Sequence, residues 1–284
     1  MNISLTLPKG VPPFRARRIR ARSLNKARIL MAQSEEELNQ VLRELEKLYG
    51  PQKLAGPSDP YEMILYVNCG YPATDSSCSG GFGALKREVG LAPDEILAAP
   101  KDKLTKLLQL GGIFPEERAR RLKEIARKVK DEFGGDLRAV LKRSLKKNQT
   151  GAGVREAKKV LQEFPVIGEP SAEKILLFAK LAPIAAVPSA CVGVPMRLWF
   201  GGEGKNYAAD YRQARGFLNA RLPESFESRQ RAYLLLKKHG QEICKRSKPK
   251  CEICPVMAQC AYLQAKAADG SAEGAAAAWQ ESAN

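Results

Sequence analysis

The apolar positions of this chain recur at intervals of three and four residues, in short runs closed by glycine or proline. Leu38, Val41, Leu42, Leu45 and Leu48 fall on one face until Gly50-Pro51 stops the run, and Ser34 with Glu37 has the pattern of a capping box at its start. A second stripe follows Pro115. There Ala119, Leu122, Ile125, Ala126, Val129 and Phe133 share a face, Arg and Lys fill the others, and Gly134-Gly135 ends it. Shorter helical patterns fit residues 60–69, 76–89, 93–99, 102–110, 136–145, 154–163, 171–181, 207–220 and 228–243. No run alternates with period two and no heptad is sustained, so the expected class is all-α, built from many short helices.

Composition adds a partner class. With 284 residues and 44% apolar content the chain is long enough for two modest domains. Forty-seven Lys and Arg against 31 Asp and Glu leave a formal charge of +16, which points to a polyanion, nucleic acid before an anionic membrane. No stretch approaches ~20 consecutive apolar residues, and the first residues lack the apolar core of a signal peptide. The expectation is an intracellular protein without a membrane partner, cytoplasmic and nucleoid-associated if the source is prokaryotic. Residues 1–29 form a basic arm in which 14–28 hold seven basic side chains without an apolar stripe; DNA tracking and simple solubilisation both fit it. Residues 264–284, rich in Ala, Gly and Ser, read as a flexible tail.

The cysteines sharpen the picture further. Cys69, Cys78 and Cys191 are scattered and read most simply as small core residues. The other four follow the spacing Cys244-x6-Cys251-x2-Cys254-x5-Cys260, which lets one compact loop aim four thiolates at a common centre. Four such soft ligands admit zinc or an iron-sulfur cluster. Lys245, Arg246, Lys248 and Lys250 crowd the same loop, either to contact phosphates or to offset an anionic cluster.

Residues 164–172, Phe-Pro-Val-Ile-Gly-Glu-Pro-Ser-Ala, lie between a basic amphipathic segment and the apolar run Ile175 to Phe178. A glycine turn there lets the backbone approach a phosphate closely, and the amides and dipole of the second helix favour the anion. Val166, Gly168 and Ser171 are therefore candidate DNA contacts, with a plain packing corner between helices as the alternative.

The 6-2-5 cysteine spacing, preceded by His239-Gly240, resembles the C-terminal iron-sulfur loop of the endonuclease III family. The 164–172 segment is similar to that family's helix-hairpin-helix motif, Leu-Pro-Gly-Val-Gly, with Val166 in place of the first glycine. Tyr61 to Asp75 resembles the family segment ending in Ser-Ala-Gln-Ala-Thr-Asp, and Gly112-Ile113-Phe114 leads into a basic helix as it does there. The likeness spans residues 30–263. It implies a two-lobed all-α helix-hairpin-helix glycosylase fold, with a six-helix barrel lobe over 57–181 and a second lobe from 30–56 plus 182–263. It further implies a mainly structural 4Fe-4S cluster on Cys244, Cys251, Cys254 and Cys260, and a monomer acting on double-stranded DNA that is damaged or mispaired.

The resemblance breaks at the chemistry. The family's lyase Lys falls on Pro170, and its Asp, after the apolar run Ile184 to Val187, falls on Pro188. A proline side chain neither donates nor titrates. The expectation is a divergent DNA glycosylase without Lys-dependent lyase activity, or else a non-catalytic protein that binds a lesion or DNA structure. The carboxylate of the adenine-specific branch falls on Tyr66 and the intercalating Gln on Pro72, beside which Tyr71 is the side chain able to stack. Glu169 and Asp75, with Asp210 behind them, are the remaining carboxylate candidates for catalysis, although Glu169 also suits a helix start. His239, the only histidine, reads as a structural hydrogen-bonding group. Trp199 and Phe200 are expected to pack between the lobes.

Overall fold

Helix boundaries follow local chemistry. The first stripe forms α1 (35–49), in which Leu38, Val41, Leu42 and Leu45 bury completely, each worth about 1.5–3 kcal/mol. Leu48, at the end of that stripe, is 50% exposed. Gly50, at φ 65°, closes the helix with its amide on the Glu46 carbonyl at 2.8 Å. Asp59 caps α2 (Pro60–Asn68) by accepting from the amides of Tyr61 and Glu62, and Thr74 caps α3 (Asp75–Glu88) by accepting from Ser77. Then come α4 (Pro93–Ala98), α5 (Lys101–Leu108) and the long α6 (Pro115–Phe133), whose buried stripe ends at the left-handed Gly134. After α7 (Leu137–Lys146) and α8 (Ala152–Gln162) a tight turn leads into α9 (Glu169–Phe178). The chain closes with α10 (Gly193–Phe200), α11 (Tyr207–Arg221) capped by Asn206, α12 (Phe226–Glu242) capped by Ser225, and α13 (Ala261–Ala268).

This computed structural model describes residues 35–71, 74–146 and 151–268, and every regular element among them is helical. The basic arm, Ser34 of the capping box, Pro72 and tail residues 269–284 lie outside the described residues. Among the described residues no helix is long and apolar enough to cross a membrane.

The apolar side chains segregate into two cores. The first gathers residues of α2 to α9, and the second gathers α1 with α10, α11 and most of α12. The irregular segment 182–187 runs between them, with Ala182 and Ala186 in the first core and Ala185 and Val187 in the second. Helix α12 is the shared wall, since Tyr233 points into the first core while Ala232, Leu235 and Leu236 point into the second.

Three expectations are corrected. Trp199 and Phe200 pack on Phe217 of α11, with ring centroids 4.6 and 5.5 Å apart, so they belong to the second core rather than to the junction. Helix α10 has no counterpart among the expected helical patterns; tertiary burial of Val194, Met196 and Leu198 makes it helical. Likewise α13 carries regular structure through 264–268, inside the expected tail.

Candidate functional site

A cavity of about 410 Å³ opens where the two cores meet, walled by α2, α3, α9, α12 and residues 188–191. Spacing explains what faces it. Tyr233, Lys237 and Gln241 repeat every four residues on α12, and Pro170 and Lys174 stand one turn apart on α9. Asp75, the first residue of α3, projects into the same space, as do Tyr66, Tyr71, Cys78 and Ser171. Pro170 and Pro188, which occupy the positions of the family's Lys and Asp, both line it. The cleft therefore lacks those two groups where the resemblance put them.

It does not lack titratable groups. Lys237 Nζ donates to Asp75 Oδ2 at 2.5 Å. Burial pushes the Asp75 carboxyl up, but the Lys237 hydrogen bond and charge, with Lys174 nearby, outweigh it and hold the group below the usual carboxylate range. Lys174, partly buried, makes no hydrogen bond or ion pair among the described residues. Burial and then the Lys237 charge push its ammonium down to about 8, against the opposing pull of Asp75 and Cys78. One helical turn past Pro170, the α9 face carries Lys174 into the same cavity. Nothing in the sequence marks Lys174, which stands directly before the apolar run Ile175 to Phe178.

Glu169 and Asp210 stand elsewhere. The Glu169 carboxylate accepts from Lys158 at 2.5 Å and Arg215 at 2.9 Å, beneath the hairpin and away from the cleft lining. Asp210 accepts from the Gly204 amide at 2.9 Å and borders a smaller cavity of about 200 Å³. Of the carboxylate candidates, only Asp75 faces the 410 Å³ cavity. Beside Glu169, the fully buried Glu173 accepts from Lys158 and Tyr211, each at 2.6 Å, and from Arg215. This network ties α8, α9 and α11 together under the hairpin.

In the hairpin, Val166 holds the glycine-like φ of 57°, so the turn keeps its shape with a β-branched residue in a left-handed conformation that costs about 1–2 kcal/mol. Gly168 has extended φ and ψ of −87° and −177° and caps α9, its carbonyl accepting from the Ala172 amide at 2.9 Å. A Cβ at Gly168 would meet only Pro170 Cδ, at 3.9 Å. Nothing among the described residues demands glycine there; its bareness leaves the N-terminal amides of α9 open to a ligand from outside.

Next to Tyr71, which is 52% exposed, the turn at Leu110 to Phe114 docks on the end of α2. A Cβ on Gly111 would come 1.8 Å from the Cys69 carbonyl oxygen, so only glycine allows that contact. The turn thereby holds Leu110, Ile113 and Phe114 with 60–69% of their surface in solvent. Arg118, expected on the solvated basic face of α6, is 2% exposed and donates to the Gly70 carbonyl at 3.1 Å, which steadies the residues leading to Tyr71.

The cysteine loop begins as α12 ends. The Cys244 amide bonds to the His239 carbonyl at 2.8 Å, and the Lys250 amide returns to Ile243 at 3.0 Å, closing a small lobe that exposes Lys245, Arg246, Lys248 and Lys250. Arg197 of α10 pins it, donating to the Lys245 and Arg246 carbonyls at 2.8 and 2.9 Å while reaching Cys244 Sγ at 3.7 Å. His239, fully buried, bridges Tyr49 Oη at 3.1 Å and Cys254 Sγ at 3.7 Å, in the structural role expected of it, and burial pushes its imidazole down to about 4. All four loop cysteines are free thiols, although among the described residues no group of three or more His, Cys, Asp and Glu side chains is arranged to hold a single metal ion. Burial first, and then the charges of neighbouring loop thiolates, raise Cys244, Cys251 and Cys254, the last to about 11. The all-sulfur donor set is one that an iron-sulfur cluster takes. Segment 189–191 lines both cavities, so the loop and the cleft share a wall.

Two helical cores, a hairpin at their junction and a cleft beneath it define the helix-hairpin-helix DNA glycosylase fold. Among solved structures the chain is similar to a trapped endonuclease III–DNA covalent intermediate and to a non-covalent endonuclease III–DNA complex, each with a TM-score of 0.63 and 18% identity over 82% of this chain and 98% of that one. It is also similar to a thermostable thymine-DNA glycosylase, with a TM-score of 0.63 and 21% identity over the same shares of the two chains. At such identities the likeness is one of fold. No protein-family model and no curated protein sequence matches the chain.

Proposed function

We propose that the protein is an iron-sulfur DNA-repair protein, a divergent DNA glycosylase that draws a damaged or mispaired nucleotide out of duplex DNA as a monomer. The observation that carries this reading is the 410 Å³ cavity with Asp75 and two lysines in its wall, flanked by the open amides of the hairpin and by exposed apolar side chains. Extrusion of a nucleotide costs a few kcal/mol, least where the base is damaged or mispaired. Tyr71, with Ile113 and Phe114 on the docked turn, supplies side chains that fill the vacated stack. Val166, Gly168 and Ser171 grip the backbone at the hairpin, and Lys245, Arg246, Lys248 and Lys250 do so at the cysteine loop. Asp75, kept ionised by Lys237, stabilises positive charge on the sugar as the base departs.

Cys244, Cys251, Cys254 and Cys260 hold a 4Fe-4S cluster, which closes the loop and leaves no coordination position for substrate. Iron and acid-labile sulfide near four of each per chain, lost in Cys254→Ser, is the expected result; stoichiometric zinc without iron would refute the assignment.

The catalytic part is tested by base release from duplexes carrying oxidised, alkylated, deaminated or mispaired bases, with Asp75→Asn as the control. Pro170 and Pro188 in the cleft lining favour one second reading, a lesion-binding protein without catalysis. Tight binding to a lesion duplex with no release from any substrate selects that reading; release abolished by Asp75→Asn selects the first.

A further inference from the structure

Tyr233 is buried with its polar end unspent. Helix α12 turns it, with Lys237 and Gln241, toward the 410 Å³ cavity, and its ring packs edge-on against Phe178 with centroids 5.2 Å apart. Only 5% of the residue is exposed, yet its hydroxyl makes no hydrogen bond among the described residues. A buried tyrosine usually finds its O–H a partner. The Tyr61 hydroxyl is also unpartnered but is sealed in protein, whereas that of Tyr233 still reaches open space, and the space its side chain lines is the cavity. Burial first, and then the neighbouring Cys191, Asp75 and Tyr207, push this phenol up, so it stays protonated and able to donate at every working pH.

The lining carboxylate and the neighbouring phenols are engaged elsewhere. Asp75, the one carboxylate among the lining residues, accepts from Lys237 at 2.5 Å and from Gln241 at 3.5 Å. Tyr66 Oη is spent on the Asp75 carbonyl at 3.0 Å and on Ser79 Oγ at 2.9 Å, and the Tyr207 hydroxyl donates to the Ser189 carbonyl at 3.3 Å. With two lysines against that one carboxylate the wall is cationic, and a ligand that suits it brings acceptors. We infer that the Tyr233 hydroxyl donates to a carbonyl oxygen on the edge of the extruded base, so that the cleft selects bases with an oxo group there over bases with an amino group. This rests on reading the cleft as the site of an extruded nucleotide. An amino group satisfies the phenol oxygen but strands its O–H, and a stranded buried donor costs more than a formed bond gains. That asymmetry makes a site built to hydrogen-bond one group reject the analogue without it. Tyr233 is then a specificity-determining residue at the base, while Asp75 answers the charge on the sugar.

The test measures binding of the full-length protein to labelled duplexes by fluorescence anisotropy. Each duplex carries one 2′-fluoro nucleotide, which resists base release, opposite a tetrahydrofuran abasic analogue, so that no Watson–Crick pair has to break. One set compares hypoxanthine with adenine and purine, the other uracil with cytosine, and a duplex with the abasic analogue in place of the base is the base-free reference. The unmodified protein should bind the oxo base at least about tenfold more tightly than its counterparts in at least one set. Tyr233→Phe keeps the ring and its contact with Phe178. It should weaken binding of the preferred oxo duplex about tenfold, leave the amino and base-free duplexes within about twofold, and leave Tm unchanged, since the hydroxyl has no partner in the described chain. The ranking of bases by the unmodified protein depends on no variant, so it decides the matter even where Tyr233→Phe misfolds. Equal binding in both sets, or a preference for the amino bases, overturns the proposal and spares the DNA reading. So does a Tyr233→Phe that loses nothing, or that loses equally on every duplex including the base-free one, which marks a structural role. Failure to bind any of these duplexes overturns the DNA reading and this inference with it.

Discussion

Replacing Glu173 with Gln tests the hairpin's foundation without changing its volume, so no cavity contribution enters. In the structure the carboxylate accepts from Lys158 and Tyr211, each at 2.6 Å, and from Arg215, with Glu169 supplying a second negative charge. The cluster of two acids and two bases is neutral as it stands. The amide leaves two cations facing one carboxylate and turns a donor toward donors, and breaking a buried pair from one side costs about 3–5 kcal/mol. Tyr211→Phe removes a single hydrogen bond to a charged group, worth about 1.5–3 kcal/mol. For a domain of this size each kcal/mol moves Tm by about 2–4 °C, so Glu173→Gln should lower it by roughly 6–20 °C and Tyr211→Phe by roughly 3–12 °C. Urea unfolding gives the free energies directly, and the double variant should fall short of the sum because the two residues share a bond. A loss below about 1 kcal/mol in Glu173→Gln would refute the claim that this network holds α8, α9 and α11 together.

Val166→Gly relieves about 1–2 kcal/mol of left-handed strain and incurs about 0.5–1 kcal/mol of backbone entropy, so the urea midpoint should stay level or rise slightly; a clear fall would contradict the strain. Replacing Lys245, Arg246, Lys248 and Lys250 by Ala should weaken duplex binding and flatten its log-log salt dependence by about 0.9 per lost phosphate contact, read by fluorescence anisotropy across a salt series. Lys174 has a folded-state pKa near 8, below its unfolded value of about 10.4, so between those limits the unfolded chain binds more protons and stability rises with pH. Lys174→Met removes that slope: it should be more stable than the unmodified protein at pH 7 and equal to it near pH 10.5, as urea titrations at both pH values would show.

The period of the apolar positions determined the all-α class, since Leu38 to Leu45 and Ala119 to Val129 have few partners beyond a buried face at helical spacing. The cysteine loop was legible because its four thiols and four basic side chains lie within one short segment, where spacing alone limits geometry. Glu169 could be placed in the cleft or under the hairpin by any sequence argument; the tertiary structure chose the latter by bringing Lys158 and Arg215, from α8 and α11, onto its carboxylate. Val166 reads as a lost glycine, yet the packed ends of α8 and α9 impose the left-handed turn upon it. Lys174 and Lys237 are ordinary surface residues in the sequence, 63 positions apart. Only the meeting of α9, α12 and α3 brings them to one cavity with Asp75, and there desolvation and the proximity of like charges, which depend on distance in space rather than along the chain, give one lysine a partner and leave the other an unprotonated fraction.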